Sequence, residues 1–194
     1  MIEALTKLCE QAKACTLCKA HLPSGPRPVF QVHPDARILI AGQAPGRRVH
    51  ESGVPFDDPS GTRLRAWLGV DAATFYDETK FAILPMGFCY PGTGKFGDLP
   101  PRAQCAPAWR PQMLALLPNI QLSLAIGQYA IAWHLGQNRA GTLTQTVLNW
   151  RSFWPEILAL PHPSPRNNIW LKKNAWFEKQ VVPDLQKQVA LLLN

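Results

Sequence analysis

Two short motifs, far apart in the chain, carry side chains able to bind or activate a ligand. The first is Gly42-Gln43-Ala44-Pro45-Gly46 and the second is Pro161-His162-Pro163-Ser164-Pro165-Arg166. An imidazole is the side chain best suited to donate a hydrogen bond or move a proton near neutral pH, and prolines on both sides stiffen its loop. His162 is therefore a candidate for chemistry. The alternative is a turn histidine that only packs or hydrogen-bonds locally.

Four of the five cysteines have a spacing that suits a metal. Cys15 and Cys18 form a C-x-x-C pair, while Cys89 and Cys105 are separated by fifteen residues. Four thiolates from two distant segments can close a tetrahedral site, and their spacing does not discriminate zinc from iron and sulfur. Cys9 is left over, and we expect it to pack on the first helix. A disulfide framework is not expected, because the cysteine count is odd and nothing indicates export.

The two motifs each follow a short apolar run typical of a buried strand, 38–41 before the first and 157–160 before the second. Two more such runs lie at 81–84 and 122–126. Loops that leave the carboxyl ends of parallel strands converge on one crevice. We therefore expect both motifs to share one ligand.

Helical patterns fill the intervals between these runs, so the sequence predicts a parallel sheet with helices on both faces. The predicted helix at 61–69 has Ser60 as its N-cap and Gly69 near its end, and the segment from 42 to 60 is predicted to be a loop. The other predicted helices span 2–13, 102–117, 128–136, 142–151 and 174–192, the last kinked or broken at Pro183.

Composition favours one compact, basic domain over residues 1–194. The chain has 46% apolar and 17% charged residues, which argues against long disordered segments. Its net charge of +7 favours polyanionic partners such as nucleic acid. The amino terminus lacks the apolar stretch of a secretory signal and no run is long enough to cross a bilayer, so we expect a cytoplasmic protein without membrane contact.

These residues resemble the uracil-DNA glycosylase superfamily, and most of all the pattern of its family 4, the iron-sulfur branch. The resemblance covers nearly the whole chain and rests on Gly42-Gln43-Ala44-Pro45-Gly46, Gly53-Val54-Pro55-Phe56, Gly61, the four ordered cysteines and His162-Pro163-Ser164. It implies a three-layer α/β/α sandwich around a four-stranded parallel sheet. It also implies a monomer acting on single- or double-stranded DNA, with a 4Fe-4S cluster on Cys15, Cys18, Cys89 and Cys105, zinc being the alternative.

The resemblance also implies roles for the cleft residues. His162 would donate a hydrogen bond to the departing base. A donor already in place stabilises the negative charge that develops on the base in the transition state. Phe56 would stack on the extruded base, although a core-anchoring phenylalanine is the alternative. Gly42, Gln43 and Ala44 would complete the base pocket.

The motif after the fourth strand would contact DNA. Ser164 would grip a phosphate, and the turn 165–167 would enter the duplex as the base flips out. Arg166 would fill the vacated space or bind phosphate.

Three departures from the family pattern affect the expected chemistry. Family 4 proteins usually have an acid where Gln43 stands. An amide cannot act as a base, so Gln43 would orient water or hold the base through its backbone and amide. Asp57 or Asp58 would be a substitute carboxylate, the alternative being a solvated or capping group. A proline, Pro85, occupies or adjoins the position of the asparagine that reads uracil. Arg47 and Arg48 make the following segment basic, either to contact phosphate or to pair on the surface with Glu51 and Asp57.

The function expected from these residues is hydrolysis of the N-glycosidic bond of a flipped-out uracil or other deaminated base in DNA, as in base excision repair. Two alternatives remain open at the level of sequence. One is a catalytically weak or inactive nucleic-acid-binding member of the superfamily, and the other is a hydrolase of a small nucleoside or nucleotide.

Overall fold

The computed structural model describes residues 1–95 and 97–194, and its centre is a four-stranded sheet. The strands are β1 (Ile38–Ala41), β2 (Phe81–Ile83), β3 (Thr93–Gly94), β4 (Gly97–Asp98), β5 (Leu122–Ile126) and β6 (Ile157–Leu160). The sheet has the order β2-β1-β5-β6, and all its neighbouring strands are parallel. Strands β3 and β4 form a separate antiparallel ribbon. The predicted four-stranded parallel sheet is confirmed.

Helices cover both faces of this sheet. The α-helices of the described residues are α1 (Ile2–Lys13), α2 (Arg47–Ser52), α3 (Pro59–Leu68), α4 (Ala72–Phe75), α5 (Cys105–Leu114), α6 (Gly127–Leu135), α7 (Leu143–Leu148), α8 (Asn168–Lys173) and α9 (Val182–Leu193). Short 3-10 turns lie at Lys19–His21, Gly136–Asn138, Trp150–Ser152 and Pro165–Asn167, and a π-helical turn at Phe177–Val181. None of the described helices is both long and apolar enough to span a bilayer.

The alternating side chains of β1 separate two apolar cores, which explains the three layers. Ile38 and Ile40 belong to the core that contains Leu64 of α3. Leu39 points to the other core, with Leu8 of α1. All four residues of β1 are buried, as expected for a strand covered by helices on both faces. The three-layer α/β/α architecture is confirmed.

The predicted loop from 42 to 60 is wrong in two places. Residues Arg47–Ser52 form α2, whose short apolar side is limited to the buried Val49 and leaves little periodicity to detect. The cap of α3 is Asp58, not Ser60: its side chain accepts a hydrogen bond from the Gly61 backbone N–H at 2.9 Å. Pro59 then begins the helix, where its missing N–H costs no hydrogen bond. Gly69 ends the helix in the left-handed conformation, as predicted.

The predicted helix at 174–192 is two elements. A π-helical turn at Phe177–Val181 leads into α9, and Pro183 lies in the first turn of α9, where it does not break the helix. The helices predicted at 102–117 and 142–151 are shorter than expected, at Cys105–Leu114 and Leu143–Leu148.

The sheet order explains how the two sequence motifs meet. Strands β1 and β6 both pair with β5, so their carboxyl ends lie one strand apart at the same edge. Neighbouring strands are about 4.8 Å apart, which puts the starts of the two following loops roughly 10 Å from each other. That separation suits a ligand the size of a nucleobase.

Candidate active site

The carboxyl ends of β1, β2 and β6 open on a cleft of about 480 Å³. It brings together every cleft and DNA-contacting residue predicted from sequence: Gly42, Gln43, Ala44, Arg47, Arg48, Phe56, His162, Ser164 and Arg166. Both motifs therefore face one cavity, as the parallel sheet requires.

The ring of His162 is oriented by its own loop. The Ser164 backbone N–H donates to Nδ1 at 3.2 Å, and the Asn167 side-chain amide donates to the His162 carbonyl oxygen at 2.7 Å. Burial lowers the pKa of His162, and the nearby carboxylates of Asp58 and Asp98 only partly oppose this. A neutral imidazole that accepts at Nδ1 must carry its proton on Nε2. His162 is thus a hydrogen-bond donor.

The side-chain amide of Gln43 is already hydrogen-bonded to the protein. Its Nε2 donates to the Leu99 carbonyl oxygen at 3.0 Å, just after β4. The side chain therefore links the loop after β1 to the segment that follows the β3–β4 ribbon. An amide in this position holds protein structure and has no basic group to offer a water molecule.

Phe56 lines the cleft and has an unusual backbone conformation. Its φ of 54° lies in the left-handed region, which is costly for a non-glycine residue and frequent at functional sites. A Cβ on Gly61 would overlap the Phe56 carbonyl oxygen, so the glycine of α3 permits this conformation. A Cβ on Gly42 would lie 3.5 Å from the tip of the Phe56 ring, whose other side meets Phe75 edge-on at a centroid distance of 6.2 Å.

The loop after β6 is braced by an arginine that the sequence reasoning missed. Arg63 of α3 donates to the Ser164 carbonyl oxygen at 3.1 Å and to the Asn168 side-chain oxygen at 2.7 Å. The Ser164 hydroxyl accepts from the Arg166 backbone N–H at 3.2 Å and so caps the 3-10 turn. No sequence motif marks Arg63, because its partner loop lies about 100 residues away.

The two adjacent arginines differ in their partners. Arg47 forms an exposed ion pair with Glu51 at 2.9 Å, one turn along α2. Arg48 lines the cleft and has no ion-pair partner within the described residues. Arg48 is therefore the freer of the two for an external anion.

Two carboxylates line the cleft, and the sequence reasoning named only one of them. Asp58 lines it while capping α3, whereas Asp57 is exposed and is not among the lining residues. Asp98 of β4 also lines it, beside Gly46, and acts electrostatically on His162. A two-residue strand after a glycine has no periodicity, so nothing in the sequence pointed to Asp98.

Pro85 lines the cleft just after the end of β2, and its side chain has no hydrogen-bonding group. Its carbonyl oxygen and that of Leu84 accept hydrogen bonds from the buried guanidinium of Arg110. These carbonyl groups consequently point toward α5.

A family model named Uracil DNA glycosylase superfamily matches residues 29–186. The chain belongs to the uracil DNA glycosylase superfamily. Every cleft residue described above lies inside the matched segment, and membership supports a glycosylase-type activity on the N-glycosyl bonds of DNA in general. Cys15 and Cys18 precede the segment, so the match does not extend to the first half of the cysteine set.

In this superfamily member, the four spaced cysteines line a second, small cavity of about 20 Å³. All four are free thiols, and Cys9 does not line the cavity but packs at the edge of the core with α1. Within residues 1–95 and 97–194, no three histidine, cysteine or acidic side chains stand close enough together to hold a metal ion as they are placed. The four thiols thus share a cavity without forming a closed ligand set.

The groups around these thiols suit a bound metal centre whose sulfur atoms accept hydrogen bonds. Burial raises the pKa of Cys89 and raises that of Cys105 to about 12, so thiolates there need a compensating positive charge. Arg102 Nε and Trp109 Nε1 reach the same cavity, and both are buried N–H donors without a partner in the described part of the chain. Unpaired buried donors are costly, and cluster or thiolate sulfur would accept from them.

Proposed function

We propose that the protein is a DNA glycosylase that hydrolyses the N-glycosidic bond of a flipped-out uracil or other deaminated base. The observation that carries this proposal is the orientation of His162: a neutral ring, held through Nδ1, with its Nε2 proton available in a cleft shared with Phe56. Superfamily membership over residues 29–186 supports the same reaction class.

The role of His162 follows from where charge develops. As the bond between the sugar C1′ and the base nitrogen breaks, its electron pair leaves with the base, and negative charge builds on a base carbonyl oxygen. A fixed N–H donor beside that oxygen stabilises the transition state more than the substrate, because the donor needs no reorganisation. Loss of one such donor typically costs about 10² to 10³ in rate.

The pocket would hold the base through its shape and through stacking on Phe56. The Phe56 ring lies against Gly42, and a planar base can stack on such a ring whatever its identity. Pro85 has no side-chain amide to select uracil, and the Gln43 amide is already bound to Leu99. We therefore propose tolerance for several deaminated bases.

DNA would be held by the cleft rim. Arg48 and Arg166 line the cleft and are exposed, as side chains that contact phosphate must be. Ser164 lies at the start of the turn 165–167, which projects from the end of β6 where a displaced base would leave a gap.

The proposed cofactor is a 4Fe-4S cluster held by Cys15, Cys18, Cys89 and Cys105. The four free thiols around one cavity and the two unpaired N–H donors on its wall support it. When bound, the cluster would supply a structural link between the segment after α1 and the start of α5. Anaerobic purification should yield brown protein with iron and sulfide in equal amounts; colourless protein with stoichiometric zinc would contradict the cluster.

The activity is tested on oligonucleotides that contain a single uracil, hypoxanthine or xanthine, as single strands and as duplexes. Alkali cleaves the abasic product, so strand breaks report base release, and the His162→Ala protein provides the control for contaminating glycosylases. We expect breaks with at least one lesion. Salt-dependent DNA binding without any base release would instead support a binding function that His162 does not serve.

A further inference from the structure

The proposed reaction needs a group to activate water, and position 43 does not provide it. The Gln43 amide donates to Leu99 and has no basic atom. Asp58 also lines the cleft, but its Oδ1 is held by the Gly61 N–H at the start of α3. Of the described carboxylates that line the cleft, Asp98 is the one with neither oxygen in a hydrogen bond.

Asp98 is close to the first motif and to the imidazole. A Cβ on Gly46 would lie 3.4 Å from Asp98 Oδ2, so the carboxylate sits directly over the glycine that ends the motif. Its charge also acts on His162, which lines the same cleft. Within residues 1–95 and 97–194, its oxygens accept no hydrogen bond and form no ion pair, so they are available to a water molecule.

The residues on both sides of Asp98 make close contacts with other segments. The Leu99 N–H donates to the Gly92 carbonyl oxygen at 2.8 Å, and the Leu99 carbonyl oxygen accepts from Gln43 at 3.0 Å. On the other side, a Cβ on Gly97 would overlap the Arg166 guanidinium, so this glycine, with a φ of 133°, lets the loop after β6 close onto the ribbon.

We infer that Asp98 is the carboxylate that holds and deprotonates the attacking water, with Gln43 as a positioning residue that anchors the backbone beside it. This inference rests on the proposed glycosylase function. The acid that family 4 proteins usually carry at position 43 would thus be replaced by one on β4, next to the Leu99 carbonyl group to which Gln43 is bonded.

The step balances without any further reactant. The bond between C1′ and the base nitrogen breaks, and its electron pair leaves on the base, where His162 stabilises the charge. The water oxygen bonds to C1′ as one water proton passes to Asp98. The carboxylate then releases that proton to the departing base or to solvent, which leaves a free base and an abasic site.

Single-turnover kinetics test this role on the lesion duplex that the wild-type protein cleaves fastest. They give two separate quantities: the rate of base release at saturating enzyme, and the enzyme concentration that gives half of that rate. Asp98→Asn should lower the saturated rate by about 100-fold or more, the usual contribution of a positioned base, and leave half saturation nearly unchanged. The matched control is Asp57→Asn, which removes an exposed carboxylate of the neighbouring loop that does not line the cleft, and it should keep the wild-type rate.

Chemical rescue distinguishes a proton acceptor from a structural residue. Asp98→Ala leaves space for a small anion, so added formate should accelerate that protein and not His162→Ala. An Asp98→Asn rate within about threefold of wild type, or no formate rescue of Asp98→Ala, would overturn the role of Asp98 while active wild-type protein upholds the glycosylase function. Wild-type protein that releases no base from any lesion would overturn both.

Discussion

Two half-buried histidines, His162 in the cleft and His134 on α6, both have a lowered pKa but differ in whether Nε2 is free to contact a ligand. Burial is the largest influence on both and lowers the pKa of each ring, that of His134 to about 4. His162 lines the cleft and its Nε2 has no hydrogen-bond partner within the described residues, whereas the Nε2 of His134 accepts from the Arg110 guanidinium at 2.9 Å. Burial sets the protonation state, and the hydrogen bonds decide whether the ring can act on a ligand.

The surroundings of His134 form a closed structural unit. Arg110 is completely buried, donates to the carbonyl oxygens of Leu84 and Pro85, and lies 5.7 Å from the ring centroid of Trp133. Burial lowers the pKa of its guanidinium to about 9, so it remains charged at neutral pH. These contacts tie α5 and α6 to the end of β2 and engage the Nε2 of His134 in the protein structure.

The largest expected effect is the loss of activity when His162 is substituted. His162→Ala should lower the single-turnover rate of base release by about 10² to 10³, because it removes the donor to the departing base. His134→Gln, assayed at pH 7.5 on the same duplex, should stay near the wild-type rate, since a glutamine oxygen can still accept from Arg110. Equal losses in the two variants would mean that His162 acts only through the fold.

The next effect concerns His134 and folding. Its pKa in the folded protein lies below the ordinary value of 6.5, so the unfolded chain binds more protons as pH falls. Stability should therefore decline from about pH 6.5 to about pH 4, by up to roughly 3 kcal/mol, since one pKa unit is worth about 1.4 kcal/mol. Urea unfolding across this range measures it, and His134→Gln should flatten the decline.

Phe56 in the cleft and Phe75 in the core touch edge-on, and their substitutions should have different effects. Phe56→Leu should weaken binding of lesion-containing DNA by about 1 to 3 kcal/mol, because it removes the stacking surface. Phe75→Leu alters a completely buried ring and should cost stability, on the order of 1 kcal/mol, without that loss of binding. Fluorescence anisotropy with lesion and undamaged duplexes distinguishes them; equal binding losses would count against stacking by Phe56.

The smallest effect lies at the exposed rim. Arg48→Gln should reduce the slope of log binding constant against log salt by about 0.9, the value for one phosphate contact. Arg47→Gln should change it less, because Arg47 is already paired with Glu51. Titrations between low and moderate salt measure both slopes, and an unchanged slope for Arg48→Gln would place its side chain outside the DNA contact.

Much of the fold was predictable because its signals are local. Each strand of the sheet is a short apolar run, and Gly69 marks the end of α3 through a conformation that glycine adopts easily. Helix α2 was missed because six residues with one buried side chain carry almost no periodicity. Ser60 was preferred to Asp58 as a cap because α3 begins at Pro59, two residues earlier than expected.

The candidate site was predictable only where a motif followed a strand. Gln43 and His162 were identified because parallel strands deliver their carboxyl ends to one edge. Arg63 and Asp98 were not, since each reaches the cleft from an element whose own sequence has no functional pattern. The two thiol pairs were likewise recognisable by spacing, while their shared cavity with Arg102 and Trp109 depends on how α1 and α5 pack.

By itself, the sequence determined the family, the order of the apolar runs and the residue types that line the cleft, because these depend on local composition and spacing. Only the tertiary structure decided that Gln43 is engaged with Leu99, that His162 presents a donor and that Asp98 lies over Gly46. The physical reason is that a hydrogen bond, a tautomer or an electrostatic neighbour depends on distances of a few ångströms between segments far apart in the chain.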